Sequence, residues 1–201
     1  MESDNPTYNT LYNYTKSLSV ALGYRDLMTR LHSERVRDIA LELGMQCGLN
    51  KQELLILRIS ASFHDVGKIG IPDSILLKPT QLDDAEWEIM KRHAEIGEQI
   101  MKSTELEGSG QAALEIRHHH ERYDGHGYPD SLAGEAIPIG SRIISIADSY
   151  DAMAVTRSYH RARAHAEIMD VLHAENGGKH DPELMRVFGG IIEKSRLKAA
   201  C

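Results

Sequence analysis

Residues 50–67 read NKQELLILRISASFHDVG, and this stretch decides the fold class. Asn50 with Glu53 makes the pattern of a capping box, and Leu49 with Leu54 supplies the apolar staple around it. From Leu54 to Phe63 the residues are mostly apolar, so the spacing predicts a helix that ends close to Gly67. Its stripe runs through Leu57 and Ala61 and then meets His64, where an apolar residue belongs. Asp65 follows at the C-terminal end of that helix, the end that disfavours negative charge.

Working outward, the rest of the chain is helical in period. Val36, Ile39, Ala40 and Leu43 mark a helix that stops near Gly48. Asp83 with Glu86 repeats the capping box, with Leu82 and Trp87 as its staple, and opens a helix expected to run to about Met101. Gly108–Ser109–Gly110 breaks the chain before a helix from Gln111 to about Glu121. Asp124–Gly125, Gly127, Pro129, Gly134 and Pro138 make residues 122–140 an ordered loop. Ile139 to Ala154 is apolar on most faces and reads as a buried helix. Asp181–Pro182 has the form of an N-cap followed by proline at the first helical position. No segment alternates with period two and no repeat is present, so the expected class is all-α. At the N-terminus Leu11, Tyr14, Leu18, Ala21 and Met28 follow three-to-four spacing, interrupted by Arg25. This is either a helix packed on its own domain or the end of a coiled stalk for dimerisation or signal input.

The 201 residues are 41% hydrophobic and 26% charged, ordinary for a globular chain. A formal charge of -7 with no basic block excludes non-specific binding to a nucleic-acid polymer, but not to a small anion whose site holds metal ions. No apolar run reaches the ~20 residues of a membrane span, so no membrane insertion is expected. Cys47 and Cys201 make no disulfide framework, which fits a reducing cytoplasm.

Histidine is the outlier, with 11 in the chain. His32 continues the stripe of Val36, Ile39 and Leu43. His93 falls among Ile89, Ile96 and Ile100, and His119 and His120 extend Ala112, Ala113 and Ile116. Asp148 sits four residues after Ile144 in the most apolar helix. A lone histidine on an apolar face is usually a hydrogen-bonded core residue. Histidine or aspartate pointing inward from five separate helices is not explained that way, because burying an unpaired carboxylate costs several kcal/mol. Divalent cations would remove that penalty and bind neutral imidazoles as well. His119 and His120 point about 100° apart on a helix, so more than one ion, or one ligand and one supporting group, is implied. His118, His126, His165, His173 and His180 read as surface or supporting residues.

With these residues in place, His64-Asp65-Val66-Gly67-Lys68 and His119-His120-Glu121-Arg122-Tyr123-Asp124-Gly125-His126-Gly127-Tyr128-Pro129 resemble the paired elements of the HD-GYP domain. That family is a branch of the HD metal-dependent phosphohydrolases. The resemblance covers roughly residues 26–190, with 1–25 as an N-terminal helix or linker and 26–201 as the phosphodiesterase domain. It implies an HD-type helical bundle with the GYP loop inserted between two core helices. It also implies hydrolysis of cyclic di-GMP, ending at linear pGpG or at GMP. His32, His64, Asp65 and Asp148 would hold one metal. Asp65 would bridge to a second, completed by His93 and His119, with His120 also at the centre. Lys68 would contact the scissile phosphate, Tyr128 and Arg157 would hold the dinucleotide, Asp151 would assist, and Gly127 and His160 would line the same site.

Three positions depart from the family pattern. Met28 stands where members with a third metal carry glutamate, and a thioether is a poor ligand for a hard cation, so two metals are expected. His160 stands where lysine is frequent, and Thr80 where glycine is usual. Iron or manganese is favoured, and nickel or zinc also suits nitrogen and carboxylate ligands without thiolate. A hydroxide held between two metals that share Asp65 would attack in line, with Lys68 adding positive charge. Two rival readings stand beside this one: hydrolysis of another cyclic dinucleotide, such as hybrid cyclic GMP-AMP, and an inactive module that binds the nucleotide. No receiver or sensor segment precedes residue 1, so the expectation is an excised domain with a regulatory domain upstream, or a free-standing one. A homodimer through the N-terminal helix is the other expected partner.

Overall fold

The computed structural model describes residues 6–25, 27–155 and 161–199, with side chains described from 10 to 24 and from 29 onward within those ranges. Among them lie ten α-helices, α1 (Pro6–Arg25), α2 (Leu27–Gln46), α3 (Lys51–Phe63), α4 (Asp73–Leu76), α5 (Asp84–Lys91), α6 (His93–Lys102), α7 (Ser109–Arg117), α8 (Ile139–Ala154), α9 (His165–Ala174) and α10 (Pro182–Ile192). Short 3-10 turns follow Asp65 and precede α8, and one isolated bridge joins Asn176 to His180. The chain is an all-α bundle, and residues 118–138 form the loop between core helices α7 and α8.

Helix α3 is the axis of this bundle because both of its faces are buried. Leu57 and Ala61 pack into a cluster with Val36, Ile39 and Leu43 of α2, Ile143, Ile144 and Ala147 of α8, and Phe188 of α10. Ile56, Ile59 and Phe63 pack into a second cluster with Leu11 of α1, Met101 of α6, and Ala112, Ala113 and Ile116 of α7. Burial of each large side chain contributes about 1.5–3 kcal/mol, so α3 is held from two sides at once. Its start is the capping box, with the Asn50 side chain accepting from Gln52 and Glu53, and Glu53 accepting from the Asn50 nitrogen. Helix α1 lies on its own domain, with Leu11 and Leu22 buried. Tyr14, by contrast, is exposed, so the buried stripe runs through Leu11, Thr15 and Leu22.

Helices α4 and α9 have no counterpart among the helices expected from sequence, and two expected helices end differently. The single helix expected from Asp83 to about Met101 is two, broken at Arg92, whose N–H turns back to the carbonyls of Ile89 and Met90. The helix expected to reach Glu121 ends at Arg117, so His119 and His120 lie in the turn beyond it.

Close backbone approach and one buried carboxyl lock the helices that converge below His64–Asp65. A Cβ on Gly67 would overlap the His93 carbonyl oxygen and lie 2.6 Å from the Gly97 nitrogen, so only glycine lets the turn after Asp65 seat on α6. Glu115 of α7 is buried and accepts from the Ser60 hydroxyl of α3. Burial pushes its carboxyl up to about 7, against the Ser60 hydrogen bond. The Ser141 hydroxyl of α8 donates to the Glu115 carbonyl at 2.9 Å, and a Cβ on Gly140 would overlap the same carboxyl. Gly67→Ala is therefore expected to lower unfolding free energy by about 2 kcal/mol and to reduce metal retention. Urea denaturation and metal analysis check this, and an unchanged midpoint contradicts the assignment.

Candidate metal centre

Three imidazoles are fixed in the same way. His64 caps the end of α3, His93 opens α6, and His119 lies beyond the end of α7. Each sets Nδ1 on the carbonyl three residues earlier: His64 on Ala61 at 2.8 Å, His93 on Met90 at 2.7 Å, His119 on Ile116 at 2.6 Å. A carbonyl only accepts, so Nδ1 carries the proton and Nε2 presents a lone pair. All three Nε2 atoms are buried with no hydrogen-bond partner among the described residues. Leaving a buried polar atom unpaired costs about 1–3 kcal/mol, so three converging together favour a bound partner. Burial lowers the pKa of His64, His93 and His120, and takes His119 down to about 3. At neutral pH these are uncharged nitrogen donors, and a divalent cation fits them.

The donors fall into two groups, His32 with His64 and Asp148, and His93 with His119 and His120, each group having its donor atoms within 4.8 Å of one another. Asp65 lies between them. Its Oδ2 is 3.5 Å from His64 Nε2 and its Oδ1 is 3.6 Å from His93 Nε2, so the two oxygens face different groups. The carboxylate is 3% exposed. Burial opposes its ionisation, but Lys68, with Nζ donating to Oδ2 at 2.6 Å, and the surrounding histidines hold it well below the usual carboxylate range.

His32 behaves differently from the other imidazoles. Its Nε2 is 2.9 Å from Asp148 Oδ1 and its Nδ1 is 2.7 Å from Asp151 Oδ2. Burial lowers its pKa, yet hydrogen bonds to the two carboxylates outweigh this and raise it to about 9. Asp148 in turn is held well below the carboxylate range, its burial outweighed by the bond to His32. Asp151, expected at the substrate, is 3% exposed and packs behind His32. Its oxygens are taken by His32 and by Arg35, which donates from Nε at 2.7 Å and from Nη2 at 3.0 Å. A carboxylate behind a metal-binding histidine fixes the ring and raises its basicity. Arg35 was not singled out from sequence, although it lies one helical turn after His32.

The GYP loop closes over the second group. The Tyr128 ring stacks on His120 at 4.9 Å and 30°, and its N–H donates to the His120 carbonyl. Glu121 accepts from the Asp130 nitrogen at 2.7 Å, while Arg117 and His118 hold the Asp130 carboxylate. Tyr123 and Asp124 donate to the carbonyls of Lys179 and Gly178, tying the loop to the turn before α10. A Cβ on Gly127 would overlap the Arg122 nitrogen, so this glycine serves close backbone packing against the start of the loop. Arg157 and His160 lie outside the described residues, as does the Met28 side chain. Of the histidines given no catalytic role, His126 and His173 are exposed, His118 and His165 are buried against Asp130 and Glu193, and His180 is buried 3.3 Å from Glu175.

Comparison with known proteins agrees with this geometry. The family model for the HD domain matches residues 17–184. The chain is 42% identical over 184 residues to the cyclic di-GMP phosphodiesterase response regulator RpfG of Xanthomonas campestris, a match covering 92% of this chain and 48% of that protein. It is 36% identical over 181 residues to a cyclic di-GMP phosphodiesterase of Thermotoga maritima, covering 89% of this chain and 48% of the relative. It is 39% identical over 173 residues to the 3'3'-cGAMP-specific phosphodiesterase 2 of Vibrio cholerae, covering 86% and 33%. The chain thus spans half or less of the length of these relatives. Among solved structures, a cyclic GMP-AMP-specific phosphodiesterase of V. cholerae superposes with a TM-score of 0.66 at 20% identity, covering 95% of this chain and 50% of that one. The HD domain of the L. monocytogenes phosphodiesterase PgpH, in complex with cyclic-di-AMP, gives 0.62 at 14% identity, covering 94% of both chains, so the bundle itself is shared. With its matched domain, its His64–Asp65 pair and its Gly127-Tyr128-Pro129 loop, the chain belongs to the HD domain family, in the HD-GYP branch.

Proposed function

We propose that this chain is a metal-dependent phosphodiesterase that hydrolyses cyclic di-GMP to linear pGpG, with GMP as a further product. The observation that carries this reading is Asp65, whose two oxygens face two separate groups of donor atoms. The names of the relatives supply the substrate class. His32, His64, Asp65 and Asp148 would hold one ion, and Asp65, His93, His119 and His120 the second. Met28, lacking an oxygen donor, favours two ions over three. The donor set suits iron or manganese, with nickel or zinc as further fits. When bound, such ions supply Lewis acidity toward a phosphoryl oxygen and acidify water for attack on phosphorus.

The remaining work belongs to the chain. Asp65 offers one oxygen to each donor group and stays ionised because Lys68 and the imidazoles offset its burial. Lys68 sits half-buried at 2.6 Å from Asp65, placed to add compact positive charge as the phosphoryl oxygens become more negative. Asp151 and Arg35 orient His32 from behind. Tyr128 walls the site above His120, and Arg157 and His160 are assigned to the dinucleotide on sequence grounds. The bond cleaved is a phosphorus–oxygen ester bond, with water supplying hydroxyl to phosphorus and a proton to the departing sugar oxygen. No helix among the described residues is long and apolar enough to cross a membrane, and the cytoplasm is the compartment we assign. The N-terminal helix is the surface we assign to a homodimer, and an upstream regulatory domain is the proposed input.

Hybrid cyclic GMP-AMP is the second reading, favoured by the V. cholerae relative of that stated specificity. Chromatography of products from cyclic di-GMP, hybrid and cyclic di-AMP substrates, with the reduced and metal-loaded protein, separates the two. Linear pGpG as the main product is expected, with Asp65→Ala falling to background while keeping its helical circular dichroism. Binding of cyclic di-GMP without cleavage would make the chain a nucleotide-binding module instead.

The metal-free protein should also report its own charge. His32, with a pKa of about 9, is protonated at pH 7, and an incoming cation must displace that proton. The buried His64, His93 and His119 are already neutral there and release none. Manganese titration at pH 7, followed calorimetrically in buffers of different ionisation enthalpy, should release about one proton per chain. Release should fade above pH 9, and zero release at pH 7 would contradict the assignment of His32.

A further inference from the structure

Helix α5 buries none of its residues, yet it carries the only tryptophan in the chain. Trp87 is 47% exposed. A staple with Leu82 asks only for an apolar side chain, not an indole, and Asp83 and Glu86 already secure the helix start by reciprocal hydrogen bonds. What the indole does touch is the loop over the metal centre. It meets Tyr128 edge to face at 6.3 Å and 83°. Tyr128 stacks on His120, and His120 groups with His93 and His119 around the second set of donors. A line of rings therefore leads from the donor atoms to solvent and ends on a half-open indole. Beside it the Lys91 ammonium lies 5.7 Å from the Tyr128 ring centroid, with Glu88 at 2.6 Å as its ion-pair partner.

We propose that Trp87 is the stacking platform for one purine base of the bound cyclic dinucleotide, with Lys91 at its edge. This rests on the reading of the chain as a cyclic dinucleotide phosphodiesterase. A base hangs one ribose away from its phosphate. With the phosphate at Asp65 and Lys68, a base needs an apolar face just outside the centre, and the ring line supplies one. Stacking on an aromatic face is tolerant of base identity because every base has a π surface. Trp87 therefore raises affinity for guanine and adenine dinucleotides alike, and the choice between them lies with groups that read base edges. The contribution falls on binding, so loss of the indole raises KM and leaves kcat nearly unchanged.

The single tryptophan makes the test direct. The manganese-loaded chain is titrated with a phosphorothioate analogue of cyclic di-GMP that resists hydrolysis, with indole emission and calorimetry recorded in parallel. Quenching of the emission on saturation is expected, along with a Kd raised about tenfold or more in Trp87→Ala and about threefold or less in Trp87→Phe. The Phe variant keeps a ring face, and its retained affinity separates stacking from damage to the helix. Calorimetric binding with unchanged emission, and an unchanged Kd in Trp87→Ala, would overturn the platform and leave the phosphodiesterase reading standing. Absence of calorimetric binding by the unaltered protein would overturn both.

Discussion

A buried carboxylate at the wrong end of a helix is the constraint on which the rest of this molecule depends. Asp65 is 3% exposed, follows the C-terminus of α3, and faces two imidazoles at about the range of a shared cation. Desolvation and the helix end both work against its charge. Lys68 and the polarity of the surrounding histidines keep it ionised in the absence of metal, and divalent cations would do so more strongly. The same cations would satisfy the three orphaned Nε2 atoms. One assignment thus removes several independent penalties.

The bundle is arranged to deliver those donors from different helices to one place. Helix α3 is held on both faces, so the position of its end, and of His64 and Asp65, is determined by two clusters at once. Gly67 lets the following turn lie directly on α6, where His93 begins. Glu115, Ser60 and Ser141 join α3, α7 and α8 by hydrogen bonds rather than by apolar packing alone. Carbonyl acceptors three residues before His64, His93 and His119 fix the tautomers, so the backbone itself prepares the donor atoms.

Much of this was legible in the sequence because the signals are local. Capping boxes at Asn50 and Asp83, the Asp181–Pro182 start and the apolar run from Ile139 to Ala154 are properties of neighbouring residues, and they appear where expected. His64, His93, His119 and Asp148 interrupt apolar stripes, and the structure brings them together with His32 and His120 in the two donor groups. Features set by tertiary contact were not legible. The break at Arg92 comes just before α6 seats on the turn at Gly67, and periodicity runs straight through it. The early end of α7 puts His119 and His120 in a turn, where the loop, not helical geometry, sets their angle. Asp151 shares a helix face with Asp148, so sequence spacing could not show that its oxygens are taken by Arg35 and His32. The burial of Glu115 depends on Ser60 and Gly140, which come from other helices.

We propose that Asp65 joins two ions in one centre. The most direct measurement is electron paramagnetic resonance of the protein loaded with manganese, with metal content determined on the same sample. Two ions per chain giving the spectrum of an exchange-coupled pair, and collapse to uncoupled or lost manganese in Asp65→Ala, is the predicted result. One ion per chain, or two that show only the signal of isolated manganese, would contradict the account.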